Sequence, residues 1–181
     1  NCEKSNLKFQ IAVKKNLVLV GMMGVGKTSV GKIVAKKLNM KFIDTDLNIE
    51  KKCLMKIAEI FNKKGENFFR IEEEKEVITS LKKTKSIIAL GGGAFINKNL
   101  RNVILKNSIS VWLDIDTKIL NKRTKRNKKR PLLNKKNNQT IIDELYSKRK
   151  NIYQYADHKI DCNNLDKESI AKKIMIYYET L

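Results

Sequence analysis

Gly21-Met22-Met23-Gly24-Val25-Gly26-Lys27-Thr28 has the form G-x-x-x-x-G-K-[ST] and stands directly after an apolar run at 17–20. The glycines let the backbone curl until successive N–H groups point at one anion, and a helix that starts there adds the positive end of its dipole. Lys27 is then placed to reach the outer phosphates of a nucleotide, and the Thr28 hydroxyl is placed to bind Mg²⁺. The motif and its flanks predict a phosphate-binding loop between a strand and a helix.

The rest of the chain alternates short β-type runs with longer helical ones, which is typical of a parallel sheet. The strand candidates are residues 17–20, 41–43, 86–90, 110–113 and, with a weaker pattern, 159–161. Several of these runs are almost wholly apolar, as strands covered on both faces must be. Asp166 is the predicted N-cap of a last helix. We therefore expect an α/β fold with a central parallel sheet, whose carboxyl-terminal edge is where such folds bind ligands.

Two carboxylates, Asp44 and Asp46, follow the second predicted strand. Residues two apart in an extended segment point to the same side. Beside a phosphate loop, one carboxylate can serve a metal ion through water while the other orients an attacking hydroxyl or accepts its proton. The alternative, an aspartate that only caps a helix or a turn, stays open for this pair taken alone.

Two further segments carry candidate site residues. Arg70 is predicted to lie on a helix with Glu73 and Glu74 as its i+3 and i+4 neighbours, although a surface ion pair of little energetic consequence has the same spacing. The run Gly91–Gly93 follows the third predicted strand. Three glycines leave a bare backbone against which a small ligand can lie closely.

The charge of the chain raises the question of a nucleic-acid partner. The 181 residues include 39 Lys or Arg and 19 Asp or Glu, a formal net charge of +20. The lysines are spread over almost every segment among asparagines, which predicts a solvated surface rather than a binding face. Residues 118–136 differ, with ten Lys or Arg, no acid and the single proline, Pro131. Because that segment has no aromatic residue to stack on bases, we expect it to face phosphates and expect no nucleic-acid partner.

Cysteine usage and hydropathy bound the class of protein. The three cysteines lie far apart and there is one histidine, so neither a disulfide framework nor a zinc site is indicated. No apolar run approaches the ~18 residues that a membrane span requires. The length suits one domain. These features predict a cytoplasmic protein without a membrane anchor.

Five motifs occur in a fixed order: G-x-x-G-x-G-K-[ST] from Gly21, D-T-D from Asp44, F-R-x-x-E from Phe69, G-G-G from Gly91 and R-P-L-L from Arg130. This ordered set, spread over residues 17–161, resembles the shikimate kinase family. The resemblance implies ATP-dependent phosphorylation of the 3-hydroxyl of shikimate. It also implies a three-layer α/β/α fold of the P-loop kinase type, with five mainly parallel strands and a mobile lid.

The resemblance assigns roles to residues at the matching positions. It places ATP on Gly24, Val25, Gly26, Lys27, Thr28 and Ser29, with Arg123 on the adenine and the lid residue Arg130 on the phosphates. It places shikimate on Asp46, Arg70, Gly91, Gly92, Gly93 and Arg149, with the two arginines on the carboxylate. It assigns Mg²⁺ to Thr28 and Asp44, and catalysis to Lys27, Asp46 and Arg130.

The expected organisation is one kinase domain over residues 1–181, with a core at about 16–181, substrate-binding helices at about 47–82 and a lid at about 122–138. A monomer is expected.

Two alternative functions predict different sets of residues. Another small-molecule P-loop kinase, for gluconate or a nucleotide, would share the first motif but would have no reason to keep the others together. A non-catalytic module that binds anions or nucleic acid would need none of the catalytic residues.

Overall fold

The residues that the structure describes, 15–125 and 138–181 of a computed structural model, contain one five-stranded parallel sheet. Its strands are β1 Asn16–Val20, β2 Lys41–Asp44, β3 Ser86–Ala89, β4 Ser108–Asp114 and β5 His158–Asp161. They are arranged in the order β2-β3-β1-β4-β5, and every neighbouring pair is parallel. All five predicted strands are confirmed, with ends that differ by one or two residues.

In the part of the chain that the structure describes, seven α-helices connect and flank these strands. They are α1 Lys27–Lys37, α2 Thr45–Cys53, α3 Ile57–Leu81, α4 Lys98–Asn107, α5 Thr117–Lys125, α6 Asn138–Tyr153 and α7 Lys167–Glu179. A short 3-10 helix, Ala94–Ile96, follows the glycine run. Asp166 caps α7 as predicted, since its side chain accepts a hydrogen bond from the backbone N–H of Ser169.

The central strand shows why the sheet lies between two layers of helices. Consecutive residues of a strand point to opposite faces, and the four apolar residues of β1, Leu17 to Val20, are at most 1% exposed. Both faces of the sheet are therefore covered. Helix α1 packs against α7 and β3, whereas α4 packs against β4 and α3. The predicted three-layer α/β/α architecture is confirmed.

Asp44 and Asp46 do not share an extended segment, so that part of the sequence analysis is wrong. Strand β2 ends at Asp44, and Thr45 already begins α2. The chain turns because the Asp44 carboxylate accepts a hydrogen bond from the backbone N–H of Leu47, at 3.1 Å, and so caps the helix. Residues two apart in a helix point in different directions. The two carboxylates consequently serve different parts of the site.

Helix α3 is interrupted at Gly65, whose φ of 83° and ψ of 166° are not helical. Glycine reaches this part of the φ/ψ map at no steric cost, whereas other residues rarely enter it. The second half of α3 therefore starts at Glu66 with a direction of its own, and it carries Phe69, Arg70 and Glu73.

Several sequence predictions fall outside the described residues. These include Arg130, Pro131 and the part of the predicted lid at 126–137. Within the described part of the chain, no helix combines the length and the apolar character that crossing a membrane requires.

Candidate active site

The loop between β1 and α1 has the backbone that the first motif predicts. Gly21, Gly24 and Gly26 have φ values of 141°, 81° and 110°, which L-residues with a side chain rarely adopt. At Gly21 a side chain is excluded by the φ value and also by space, because a Cβ would collide with the backbone carbonyl of Leu113 on β4. Helix α1 begins at Lys27, immediately after the last of these glycines. The loop therefore runs straight into the amino end of a helix. The backbone N–H groups and the helix dipole at this end favour the binding of an anion.

Lys27 lies across this loop. Its Nζ donates to the backbone carbonyls of Gly21 at 2.7 Å and Met22 at 2.9 Å, and the residue is only 9% exposed. These bonds hold the ammonium against the loop backbone. A positive charge is thus fixed where the loop would cradle phosphates.

The Thr28 hydroxyl donates to Asp44 Oδ2 at 2.6 Å. This bond joins the first turn of α1 to the end of β2, and it places a hydroxyl and a carboxylate oxygen together. Such oxygens suit Mg²⁺, which commonly takes one or two protein ligands and completes its shell with phosphate oxygens and water. Residues 15–125 and 138–181 contain no cluster of three or more His, Cys, Asp or Glu that could hold a metal ion. The residues present therefore fit a magnesium ion held jointly with a nucleotide.

The glycine run after β3 makes room for the protein's own charged side chains. A Cβ at Gly91 would collide with the Asp46 carboxylate and would lie 2.9 Å from Glu73 Oε1. A Cβ at Gly93 would collide with Arg70 Nη1 and would lie 2.9 Å from Nη2. At Gly92 the corresponding distance to Arg149 Nη1 is 3.3 Å. The absence of side chains on this run is what allows these groups to converge.

Arg70 is held by two carboxylates of its own helix. Its Nη1 donates to Glu73 Oε2 at 2.7 Å, while Nε and Nη2 donate to Glu66 Oε1 at 3.2 Å and 3.0 Å. Desolvation lowers the pKa of Arg70, but the charges and hydrogen bonds of Glu73 and Glu66 outweigh it and leave the pKa raised. Arg70 is therefore a fixed cation, with its Nη1 and Nη2 atoms against Gly93.

Glu73 is the buried partner in this group, with 3% exposure. Burial raises the pKa of Glu73, while the charge and hydrogen bond of Arg70 and the charge of Arg149 oppose that rise. Its Oε1 has no hydrogen-bond partner among the described residues. Of the two glutamates that the spacing offered, Glu73 is the one that orients Arg70.

Arg149 approaches the same run from α6. Its Nη1 donates to the Gly92 carbonyl at 3.3 Å, and the hydroxyl of Tyr153, one turn further along α6, donates to that carbonyl at 2.6 Å. A Cβ at Gly92 would lie 3.5 Å from the Met23 amide nitrogen and 3.6 Å from the Gly21 carbonyl oxygen. The glycine run therefore lies directly against the phosphate loop.

A groove of about 680 Å³ opens on the other side of the phosphate loop. It is lined by Gly24, Val25, Gly26, Ser29, Ile33, Arg123, Leu165, Asp166 and Ile170, among others. Arg123 Nη1 donates to the Val25 carbonyl at 3.1 Å, so its guanidinium is fixed at the rim next to the loop. The groove has a volume typical of small-molecule sites and combines apolar walls with a few polar groups.

The structure thus brings together the sequence-predicted residues of the described chain. Lys27, Thr28 and Asp44 form one group, and Asp46, Arg70, Arg149 and the three glycines form another beside it. Glu66 and Tyr153 were missed as members of the site. Helical spacing could have indicated both, because Glu66 precedes Arg70 by four residues and Tyr153 follows Arg149 by four.

Comparison with known proteins indicates the family of this chain. The family model described as shikimate kinase matches residues 23–179. A shikimate kinase of Sulfurihydrogenibium sp. is 41% identical over 161 residues, which is 89% of this chain and 96% of that protein.

Solved structures similar to this chain indicate the same family. The structure titled shikimate kinase from Acinetobacter baumannii in complex with shikimate has a TM-score of 0.88 and 33% identity, and the match covers 92% of this chain and 93% of that one. A gluconokinase from Sinorhizobium meliloti has a TM-score of 0.59 at 13% identity, covering 93% of each chain, and therefore shares the fold alone. The gluconate kinase alternative finds no support beyond the scaffold. The chain belongs to the shikimate kinase family.

Proposed function

We propose that this protein transfers the γ-phosphoryl group of ATP to the 3-hydroxyl of shikimate, releasing ADP and shikimate 3-phosphate. The observation that carries the proposal is the contact between two groups of residues. Asp46, Arg70 and Arg149 converge on Gly91–Gly93, and a Cβ added at Gly92 would lie only 3.5–3.6 Å from backbone atoms of the phosphate loop. A substrate held by the first group is therefore next to a phosphate held by the second.

The nucleotide half of the site consists of the loop and the groove behind it. The amides of Gly24, Val25 and Gly26 and the start of α1, with Ser29, cradle the phosphates. Lys27 neutralises the outer ones, since its Nζ already lies against the loop. Arg123 lines the groove at the place expected for the adenine ring.

The substrate half recognises a carboxylate and a hydroxyl. A guanidinium presents a planar fork that matches a carboxylate better than an ammonium does, so Arg70 and Arg149 grip the carboxylate of shikimate. Gly91–Gly93 line the ring, and their lack of side chains lets the charged groups converge beside it. Asp46, packed against Gly91, orients the 3-hydroxyl.

Catalysis rests on placement and charge. Phosphoryl transfer leaves little covalent work to the protein, so the rate depends on holding the hydroxyl in line with the phosphorus and on cations around the developing charge. Asp46 orients the hydroxyl and accepts its proton as the new bond forms. Lys27 provides a fixed cation. The family resemblance adds Arg130, which lies outside the described residues, as a second cation.

Thr28 and Asp44 would hold Mg²⁺ together with the phosphates. Bound there, the ion would neutralise phosphate charge and fix the orientation of the triphosphate. The 2.6 Å bond between Thr28 Oγ1 and Asp44 Oδ2 supports this assignment because it shows that both oxygens reach one point.

We propose further that residues 1–181 act as one kinase domain that is monomeric, cytoplasmic and independent of nucleic acid, with substrate-binding helices near 47–82. Cys53 and Cys162 are free thiols, which suits a reducing compartment. Burial raises the pKa of Cys162 to about 12, so that thiol is also unreactive.

A coupled assay of ADP release tests the proposed reaction. The purified chain should turn over with ATP and shikimate, and it should release no more ADP with gluconate or nucleoside monophosphates than without a second substrate. Equal turnover with gluconate would contradict the proposal. Tight RNA binding at physiological salt without phosphoryl transfer would favour the binding-module alternative instead.

A further inference from the structure

Tyr153 is a buried side chain to which the proposed reaction assigns no role. It is 0% exposed, and its hydroxyl donates to the Gly92 carbonyl at 2.6 Å. The same hydroxyl oxygen lies 3.9 Å from Met22 Sδ in the phosphate loop. Tyr153 therefore stands where the substrate half of the site meets the nucleotide half.

Among residues 15–125 and 138–181, two side chains donate to the Gly92 carbonyl, at unequal distances. The Tyr153 bond, at 2.6 Å, is short for a hydroxyl donor, whereas the Arg149 bond, at 3.3 Å, is longer than the usual N–H···O range. The tyrosine thus satisfies the carbonyl, and Arg149 keeps most of its five donors for another acceptor. Burial raises the pKa of Tyr153 against the opposing charge and hydrogen bond of the neighbouring Arg149, so the hydroxyl stays protonated as a donor.

We propose that the Tyr153 hydroxyl is a positioning group for shikimate binding: by occupying the Gly92 carbonyl, it leaves the Arg149 guanidinium available for the substrate carboxylate. Tyr153 itself touches neither substrate. This inference rests on the proposed role of Arg149.

The proposal has a specific consequence for a variant without the hydroxyl. In Tyr153→Phe the ring remains beside Trp112, whose centroid is 5.9 Å away, so the packing is retained. The Gly92 carbonyl loses its short bond, and a poorly satisfied carbonyl is costly. Arg149, already 3.3 Å away, moves onto it and is withdrawn from the substrate.

Steady-state kinetics of Tyr153→Phe test this consequence. The KM for shikimate should rise about tenfold, the size of effect expected from one hydrogen bond to a charged group. The KM for ATP should stay within about twofold. Tyr146→Phe is the matched control, because it also removes a tyrosine hydroxyl from α6. The Tyr146 hydroxyl donates to Asp114 Oδ1 at 3.0 Å and not to the Gly92 carbonyl, so this variant should leave both KM values unchanged.

Arg149→Lys and the double variant separate this inference from the proposed function. Arg149→Lys alone should raise the KM for shikimate. Adding Tyr153→Phe to it should raise that KM by less than twofold more, because Tyr153 acts through the Arg149 guanidinium. If Arg149→Lys leaves the KM unchanged, both the carboxylate assignment and this inference fail. If Arg149→Lys has its effect and Tyr153→Phe has none, only the inference fails.

Two other outcomes would also overturn the proposal. They are an equal rise in the KM for shikimate and for ATP, and fully additive effects in the double variant. Circular dichroism and a thermal melt establish that each variant is folded. If Tyr153→Phe does not fold, a crystal structure of the unaltered protein with shikimate decides: the Tyr153 hydroxyl should donate to the Gly92 carbonyl while Arg149 contacts the carboxylate, and an Arg149 that contacts only Gly92 would overturn the proposal.

Discussion

Replacing Gly93 with alanine adds a methyl group where the Arg70 guanidinium packs. Gly93 has φ −97° and ψ −19°, a conformation open to any residue, so the backbone tolerates the change. The new Cβ would lie 2.9 Å from Nη2 and 3.0 Å from Cζ of Arg70, whereas ordinary contacts are 3.4–4 Å. The guanidinium must therefore move by about 0.5–1 Å, which is enough to disturb a fork aimed at a carboxylate.

The size of the effect follows from the bond at risk. A hydrogen bond between charged groups contributes about 1.5–3 kcal/mol, and about 1.4 kcal/mol corresponds to a factor of ten. The Arg70 side chain is 36% exposed, which favours the lower end of that range. We expect Gly93→Ala to raise the KM for shikimate about tenfold and to leave the KM for ATP unchanged.

The coupled ADP assay at varied shikimate measures this prediction, with a thermal melt to verify folding. The control is Gly93→Ala in an Arg70→Lys background. The lysine ammonium is smaller than the guanidinium, so the added methyl group should have almost no further effect on the KM for shikimate. An unchanged KM for shikimate in the single variant would refute the packing argument. An equal rise in both backgrounds would show that the methyl group acts on something other than Arg70.

Three further predictions concern other parts of the site. Asp46→Asn should lower kcat by about 100-fold or more with folding intact, since proton transfer and orientation of the hydroxyl are lost, and near-normal turnover would remove Asp46 from the mechanism. Thr28→Val should raise the Mg²⁺ concentration for half-maximal activity about tenfold, and an unchanged Mg²⁺ titration would contradict its role beside Asp44. Glu73 has a pKa raised above 4.5 by burial, so the folded state holds its proton to higher pH than the unfolded state does. Its contribution to the free energy of unfolding should therefore fall as pH rises above 4.5. Denaturant titrations at several pH values should show the unaltered protein losing stability relative to Glu73→Gln over this range, and a gain in relative stability would contradict the argument.

The central strand could be predicted because its local sequence indicates it. The run 17–20 is wholly apolar, which is typical of a strand buried on both faces. The phosphate loop is equally local, since its glycines are needed at fixed offsets from Lys27. For the same reason, the loop and the first helix appear where the motif places them.

The details of the site depend on contacts between residues that lie far apart in sequence. Arg149 and Tyr153 reach the Gly92 carbonyl across 57 and 61 residues. No local pattern indicates that they share one acceptor. The prediction of a shared face for Asp44 and Asp46 failed for a related reason. The Asp44 carboxylate caps α2, so the strand ends at Asp44 and Asp46 lies on the helix.

The glycine run illustrates the same limit. Its sequence suggested a surface left bare for a ligand, and the structure adds that Asp46, Arg70 and Arg149 occupy the space that side chains there would take. Which charged groups fill that space depends on the course of α2, α3 and α6. The function class therefore follows from ordered motifs, whereas the geometry that supports it requires the fold.

A crystal structure of this protein with shikimate and a non-hydrolysable ATP analogue tests the central claim most directly. We predict that the shikimate carboxylate lies within hydrogen-bond distance of both Arg70 and Arg149. We also predict that the 3-hydroxyl lies next to Asp46 and faces the γ-phosphate on the loop. A substrate bound elsewhere, or a carboxylate that neither arginine contacts, would contradict the account.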